Sequence, residues 1–248
     1  MSDYDRNAAV RLGAGVAVRQ TAEIDQGLRS YMLGIYNHMS LGVAISGFVA
    51  LGIFIISQSV PALAQTLYGS PVRWVLMLAP LAFVFFFTFK AESMSPSTAM
   101  MTFYAFAATM GLSLGSIFFV FKIGSIVQTF FITAAAFGAL SLFGYTTRKS
   151  LSGMASFLMM GLIGLLLASI VQIFVASSAL QFVINIAGVL IFAGLTAWDT
   201  QRLKEEYVYV AGDSTATAKA SIFGALSLYL NFINMFQFLL ALMGQREE

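Results

Sequence analysis

The sequence has no cysteine and very little charge. The absence of cysteine excludes disulfide bonds, thiolate catalysis and cysteine-ligated metal sites. Only 10% of the residues are charged, 59% are hydrophobic and the mean hydropathy is +0.85, whereas a soluble domain has about 25% charged residues. So few charges cannot cover a water-facing surface, which excludes a soluble enzyme, a disordered chain and a secreted disulfide scaffold. The chain is therefore predicted to be an integral membrane protein.

Residues that carry catalysis or bind cofactors are also scarce. Histidine occurs once, at His38, and a lone histidine makes a poor metal site. The last apolar segment contains no lysine, which excludes the Schiff base of a retinal protein. The formal net charge of +2 is too small to indicate a nucleic-acid partner. We therefore predict no enzymatic activity, no cofactor and no nucleic-acid partner, and the lipid bilayer is the expected environment.

Seven apolar segments are long enough to cross a bilayer as helices, which need about 20 mostly apolar residues. They are Leu33–Val60, Trp74–Phe89, Ser97–Phe121, Ser125–Tyr145, Met154–Ala176, Leu180–Trp198 and Ser221–Gly244. Their short connections favour one bundle, so residues 31–248 are predicted to form a seven-helix transmembrane domain. Residues 1–30 are mixed in polarity and are predicted to be a partly disordered cytoplasmic tail. Gly111 and Gly115 form a pattern of small residues suited to close helix contact.

The distribution of lysine and arginine predicts the orientation, because cytoplasmic loops carry the excess of these residues. With the N-terminus in the cytoplasm, ten basic residues lie inside: Arg6, Arg11, Arg19, Arg29, Lys90, Arg148, Lys149, Arg202, Lys204 and Lys219. Three lie outside: Arg73, Lys122 and Arg246. If the last segment dipped into the membrane and returned, Arg246 would move inside, and charge counting does not separate the two cases.

One ionisable residue stands at the edge of an apolar core, Asp199 at the end of the sixth segment. Ionisable residues inside a membrane are costly and mark candidate functional sites. In one interpretation Asp199 ends the helix, solvated or paired with Arg202 one turn later. In the other, it faces the bundle interior and pairs with a polar group of another helix.

The seventh segment supplies such polar groups at helical spacing. Ser227, Asn231 and Asn234 fall within a sector of about 60°, with Gln237 at its edge. One interpretation is hydrogen bonding between helices, worth about 0.6 kcal/mol per contact on average. The other is an ion or proton site formed with Asp199.

Three stretches together resemble the Bax inhibitor family, in its bacterial YccA-like branch. They are FGYTTRKSLS at 143–152, AWDTQRLK at 197–204 and GALSLYLNFINMF at 224–236. The resemblance covers nearly everything after the N-terminal tail. It implies a bundle whose last helix is central, a bacterial inner-membrane location and a pH-sensitive calcium leak, with Ca²⁺ as the transported ion.

The resemblance also implies a latch of two aspartates on the last two helices. Asp199 matches the first, but the second falls on Asn231. Two close carboxylates cannot both ionise easily, so such a pair senses pH. In an Asp–Asn pair the amide favours ionised Asp199 while burial opposes ionisation, and one charge fewer attracts calcium, so a weaker or pH-shifted calcium leak is expected. Ser227 and Asn234 are predicted to support the latch, Lys90 to be its cation by rough position, and any calcium site near Asp199 to be weak.

A second function implied by the resemblance is modulation of a membrane-bound AAA protease of the FtsH type. The polar tail Met1–Ser30 would be the natural contact for that role. In that case the protein would act as an interaction partner and would have no transport activity of its own.

Overall fold

A computed structural model describes the backbone of residues 3–91 and 93–247. Side chains are described from residue 25 onwards within these ranges, except at 77, 81 and 88. The predicted boundary at residue 30 falls inside the first helix, which runs through it without a break. The division into a tail and a membrane domain stays a prediction, because the side chains of most of the tail lie outside the described residues.

Helices make up nearly all of the described chain. They are α1 (Asp3–Ser59), α2 (Pro61–Ala64), α3 (Val72–Lys90), α4 (Pro96–Leu114), α5 (Ile123–Thr146), α6 (Ser152–Val175), α7 (Ser178–Val210) and α8 (Ser214–Met243). Six of them are long and apolar enough to cross a membrane. A seventh span results if α2, the π-helical turn after it and α3 form one span bent by 68°. The predicted all-α membrane bundle is thereby confirmed.

The last helix occupies the centre of the bundle, as predicted. It packs against α1, α4, α5 and α7, and Leu228 and Tyr229 are fully buried. The rings of Phe103 and Phe106 on α4 meet the Tyr229 ring edge to face. The outer helix α6 packs against α7 instead and exposes large apolar side chains, which a bilayer solvates at no cost.

Two glycines allow backbones to approach closely, which is how membrane helices gain packing energy without a hydrophobic driving force. A Cβ at Gly111 would lie 2.6 Å from the Ser46 carbonyl oxygen of α1, and a Cβ at Gly115 would meet the Tyr68 hydroxyl. The close helix contact predicted from this pair is confirmed at Gly111, whereas Gly115 makes room for the side chain of Tyr68. A Cβ at Gly144 on α5 would overlap the carbonyl oxygen of Ala197 on α7.

The last helix, α8, runs from one end of the bundle to the other. Helices α1 and α8 run in the same direction, since Gly34 lies beside Ser221 and Gly42 beside Tyr229. We call the end with the α5–α6 and α7–α8 turns the near end, and the end with the α4–α5 turn the far end. After α8 the Gln245 carbonyl accepts a hydrogen bond of 2.9 Å from the Lys122 amide at the far end. The last segment therefore does not turn back.

Candidate functional site

Asp199 is a buried carboxylate, 4% exposed, at which α7 and α8 meet. Its Oδ1 accepts hydrogen bonds from Arg202 Nε at 3.1 Å and Nη2 at 2.8 Å. Its Oδ2 accepts from Ser227 Oγ at 2.8 Å and from Asn231 Nδ2 at 2.7 Å. The expectation that Asp199 ends the helix is wrong, since α7 continues to Val210. The pairing with Arg202 and the contact with another helix occur together, because one oxygen pairs within α7 and the other bonds across to α8.

The turn between α7 and α8 sets this register. Gly212 adopts a φ of +100°, a left-handed conformation that glycine takes without steric cost. Asp213 then caps α8 by accepting hydrogen bonds from the amides of Thr215 and Ala216. Asp199 and Ser227 each lie fourteen residues from Asp213, so an antiparallel hairpin that turns here brings them level.

The carboxylate of Asp199 is fully hydrogen-bonded and paired with a cation. An ionised carboxylate has about four acceptor positions, and the four hydrogen bonds use them. The Arg202 guanidinium neutralises the charge; it also lies 5.4 Å from the centre of the Trp198 ring and 3.8 Å from Glu206 Oε2. The two donors from α8, Ser227 and Asn231, are neutral. The contact between α7 and α8 therefore forms without a charged group on α8.

A neighbouring contact shows where along the bundle Asp199 lies. The Gln201 side-chain amide donates to the Lys149 carbonyl at 3.0 Å and its Oε1 accepts from the Leu151 amide at 2.7 Å. These bonds join α7 to the loop between α5 and α6. Asp199, two residues earlier, thus lies just inside the near end of the bundle.

Two predicted site residues lie elsewhere. The Asn234 amide donates to the Leu230 carbonyl of its own helix at 2.8 Å, because it lies one turn beyond Asn231, too far along α8. Lys90 is exposed in the last turn of α3, a helix that packs on α4; the partners of Asp199 among the described residues are Arg202, Ser227 and Asn231. The cation at the site is instead Arg202, which reaches Asp199 from one turn away on the same helix.

A second buried polar contact was not predicted. Tyr229 Oη lies 2.6 Å from Ser46 Oγ, which donates to the Ala107 carbonyl at 2.7 Å. This chain links α8, α1 and α4 in the centre of the bundle. The sequence signal is that Ser46 and Tyr229 are polar residues inside apolar segments, where each needs a partner.

The donor set around Asp199 is not that of a resident metal centre. Across the part of the chain that the structure describes, no three His, Asp or Glu side chains gather into a group that could hold a metal ion. What the arrangement can do is hold α7 against α8 through one buried charge.

The comparisons with known proteins agree with the three motifs. The family model described as inhibitor of apoptosis-promoting Bax1 matches residues 28–248. An uncharacterized protein of Caulobacter vibrioides is 46% identical, and the alignment covers 100% of both chains. Inner membrane protein YbhL of Escherichia coli K12 is 40% identical over 89% of this chain and 93% of its own. Protein RP147 of Rickettsia prowazekii is 40% identical over 90% of this chain and 93% of its own. The chain therefore belongs to the Bax inhibitor family, as a multi-pass membrane protein.

Proposed function

We propose that this protein is a calcium leak of the bacterial cytoplasmic membrane whose response to pH is weakened by an altered latch formed by Asp199 and Asn231. The observation that carries the proposal is the 2.7 Å hydrogen bond from Asn231 Nδ2 to the buried carboxylate of Asp199. It joins α7 to α8, the central helix. Separation of these helices at the near end would open the route for an ion, and no enzymatic step is involved.

The hydrogen bonds favour a latch over a resting calcium site. Calcium takes six to eight oxygen ligands, whereas both Asp199 oxygens already accept from nitrogen and hydroxyl donors. The Arg202 guanidinium would also repel a divalent cation. A calcium ion would therefore contact Asp199 weakly, and only after Arg202 and Asn231 had withdrawn.

The amide of Asn231 should weaken the response to pH. It donates to Asp199 at any physiological pH, because a side-chain amide does not titrate there. A second carboxylate at this position would instead share a proton with Asp199 and lose it as the pH rises. Two like charges would then repel at a separation of about 3 Å, and the latch would open.

Asn231→Asp is therefore expected to create or enlarge a pH-dependent calcium flux. The flux should be low at acidic pH, where one proton is shared, and should rise with pH as that proton leaves. Calcium uptake into proteoliposomes, measured over pH 5 to 8 with an internal calcium dye, checks this. Asn234→Asp is the matched control, because it adds the same group one turn away from the contact. Equal flux and identical pH dependence in the parent and Asn231→Asp would contradict the proposed latch.

We place the near end of the bundle in the cytoplasm. The described basic residues at that end are Arg29, Lys90, Arg148, Lys149, Arg202, Lys204 and Lys219. The far end has Arg73, Lys122 and Arg246. The positive-inside rule favours the end with the greater number, which puts the N-terminus inside.

A second proposal, modulation of a membrane-bound AAA protease, is favoured by the length of α1. The helix has 57 residues, about 85 Å at 1.5 Å per residue, so it extends well past a hydrocarbon core of about 30 Å. The side chains of residues 3–24, which would make the contact, lie outside those described.

Deletion of residues 2–24 is expected to abolish any change in protease activity while calcium flux stays at the parental level. A substrate-degradation assay with a co-reconstituted FtsH-type protease, run beside the flux assay, separates the two functions. Loss of flux with protease modulation intact would reverse the assignment of the tail.

A further inference from the structure

A long groove separates α1 from α5 on the side of the bundle. It has a volume of about 1000 Å³, and Phe232 of the central helix α8 lines it. On α1 the lining extends from Arg29 to Leu51, about 33 Å at 1.5 Å per residue. This length is comparable with the hydrocarbon core of a bilayer, about 30 Å.

The groove is polar at one end and apolar along the rest. Arg29, Tyr36 and Tyr145 line it at the near end, and Lys204 Nζ lies 5.1 Å from the centre of the Tyr145 ring. Toward the far end the lining consists of side chains such as Phe48 and Phe130. The polar end therefore carries positive charge at the level of the lipid headgroups, and the apolar part lies at the depth of the acyl chains.

A buried hydroxyl without a partner lies in the same lining. Ser141 on α5 is 5% exposed, and among the described residues its Oγ has no hydrogen-bond partner. A hydroxyl buried without a partner costs free energy, so this position favours an occupant that brings an acceptor. An ester carbonyl below a lipid headgroup is such an acceptor.

We infer that this groove binds an anionic phospholipid from the leaflet at the near end, with its phosphate at Arg29 and an acyl chain along Phe48 and Phe130. Three features select this occupant: the groove opens to the side of a membrane bundle, its walls are mostly apolar, and the cation in its lining, Arg29, lies at one end. Arginine donors match phosphate oxygens in geometry and charge. The inference stands apart from the calcium proposal, because lipid binding is measured without ion flux.

Two variants separate the headgroup contact from the apolar groove. Arg29→Gln removes the charge and leaves the groove open. Gly47→Leu places a side chain inside the groove; a Cβ at Gly47 meets no atom within 4 Å, so the fold accommodates it. Gly52→Leu is its matched control, since a Cβ there also meets nothing within 4 Å and Gly52 does not line the groove. Arg73→Gln at the far end is the control for Arg29→Gln.

The experiment is native mass spectrometry of the full chain, released from micelles that contain equal amounts of phosphatidylglycerol and phosphatidylcholine. The parent and both controls are expected to retain phosphatidylglycerol over phosphatidylcholine by about fivefold. This is the factor by which one basic residue strengthens binding to an anionic lipid surface. Arg29→Gln should lower the preference to near parity, and Gly47→Leu should lose both lipids.

Three outcomes would overturn the inference. The first is equal retention of the two lipids by the parent. The second is retention by Gly47→Leu that matches Gly52→Leu. The third is a dimer that Gly47→Leu dissociates, which would make the groove an interface between two copies of this chain. A circular dichroism melt of each variant checks that it is folded, so that loss of lipid reports on the groove.

Discussion

Asp199→Asn is expected to lower the thermal stability of the bundle and, under the proposed latch, to raise calcium flux as well. The native carboxylate accepts four hydrogen bonds. An asparagine has one acceptor oxygen, and its NH2 group would face donors that already surround the site. The single oxygen of the asparagine can therefore accept hydrogen bonds from Arg202 or from the α8 side chains, but not from both.

The size of the effect follows from the bonds lost. Hydrogen bonds to a charged group contribute about 1.5–3 kcal/mol, and about 1.4 kcal/mol is a tenfold change in an equilibrium. The open state should therefore become roughly ten times more populated, or more. At about 2–4 °C per kcal/mol for a chain of this size, the unfolding midpoint should fall by roughly 3–12 °C. Proteoliposome flux and a melt in detergent measure the two quantities.

The direction of the flux change distinguishes two roles for Asp199. If the carboxylate is a latch, its removal raises the flux; if it is a resting calcium ligand, its removal lowers the flux. Asp213→Asn is the matched control, because Asp213 is an exposed cap of α8 and asparagine caps a helix about as well as aspartate. A decrease in flux with Asp199→Asn would refute the latch.

Gly144→Ala is expected to destabilise the contact between α5 and α7. The new Cβ would overlap the carbonyl oxygen of Ala197 and lie 2.9 Å from its carbonyl carbon. These are backbone atoms, so no side-chain rotation relieves the overlap and a helix must shift. Overpacking of this kind costs about 1–3 kcal/mol. Since Ala197 precedes Asp199 by two residues, the shift should also disturb the latch and raise the calcium flux.

Gly138→Ala on the same helix is the control for this substitution. A Cβ at Gly138 meets nothing within 4 Å, so the substitution brings only the better helix propensity of alanine, up to about 1 kcal/mol. In a detergent melt, Gly138→Ala should match or exceed the parent and Gly144→Ala should fall below it. Equal unfolding midpoints for the two variants would contradict this prediction, because they would show that α5 and α7 can separate enough for the new Cβ without loss of stability.

Hydropathy predicted most of the spans but missed some helical residues outside them. The second segment, predicted over Trp74–Phe89, is confirmed by α3 (Val72–Lys90), whereas α2 and the π-helical turn that precede it at a bend of 68° were not predicted. The sixth apolar segment ends at Trp198, whereas the helix α7 extends to Val210. Hydropathy predicts which residues lie in the hydrocarbon core, but a helix can continue beyond that core as long as its backbone hydrogen bonds continue.

The sequence alone determined that this is a membrane protein and roughly where it crosses the bilayer, and it identified Asp199 as the candidate charge within the bundle. Each of these depends on the residues of one segment, because the cost of placing a group in lipid is a local property. The tertiary structure alone decided which of the candidate partners contact that charge. It selected Arg202 over Lys90, included Ser227 and Asn231, and left Asn234 bonded to its own helix. Partner choice depends on the register and crossing of helices more than 25 residues apart in the chain, and spacing within one helix does not encode that geometry.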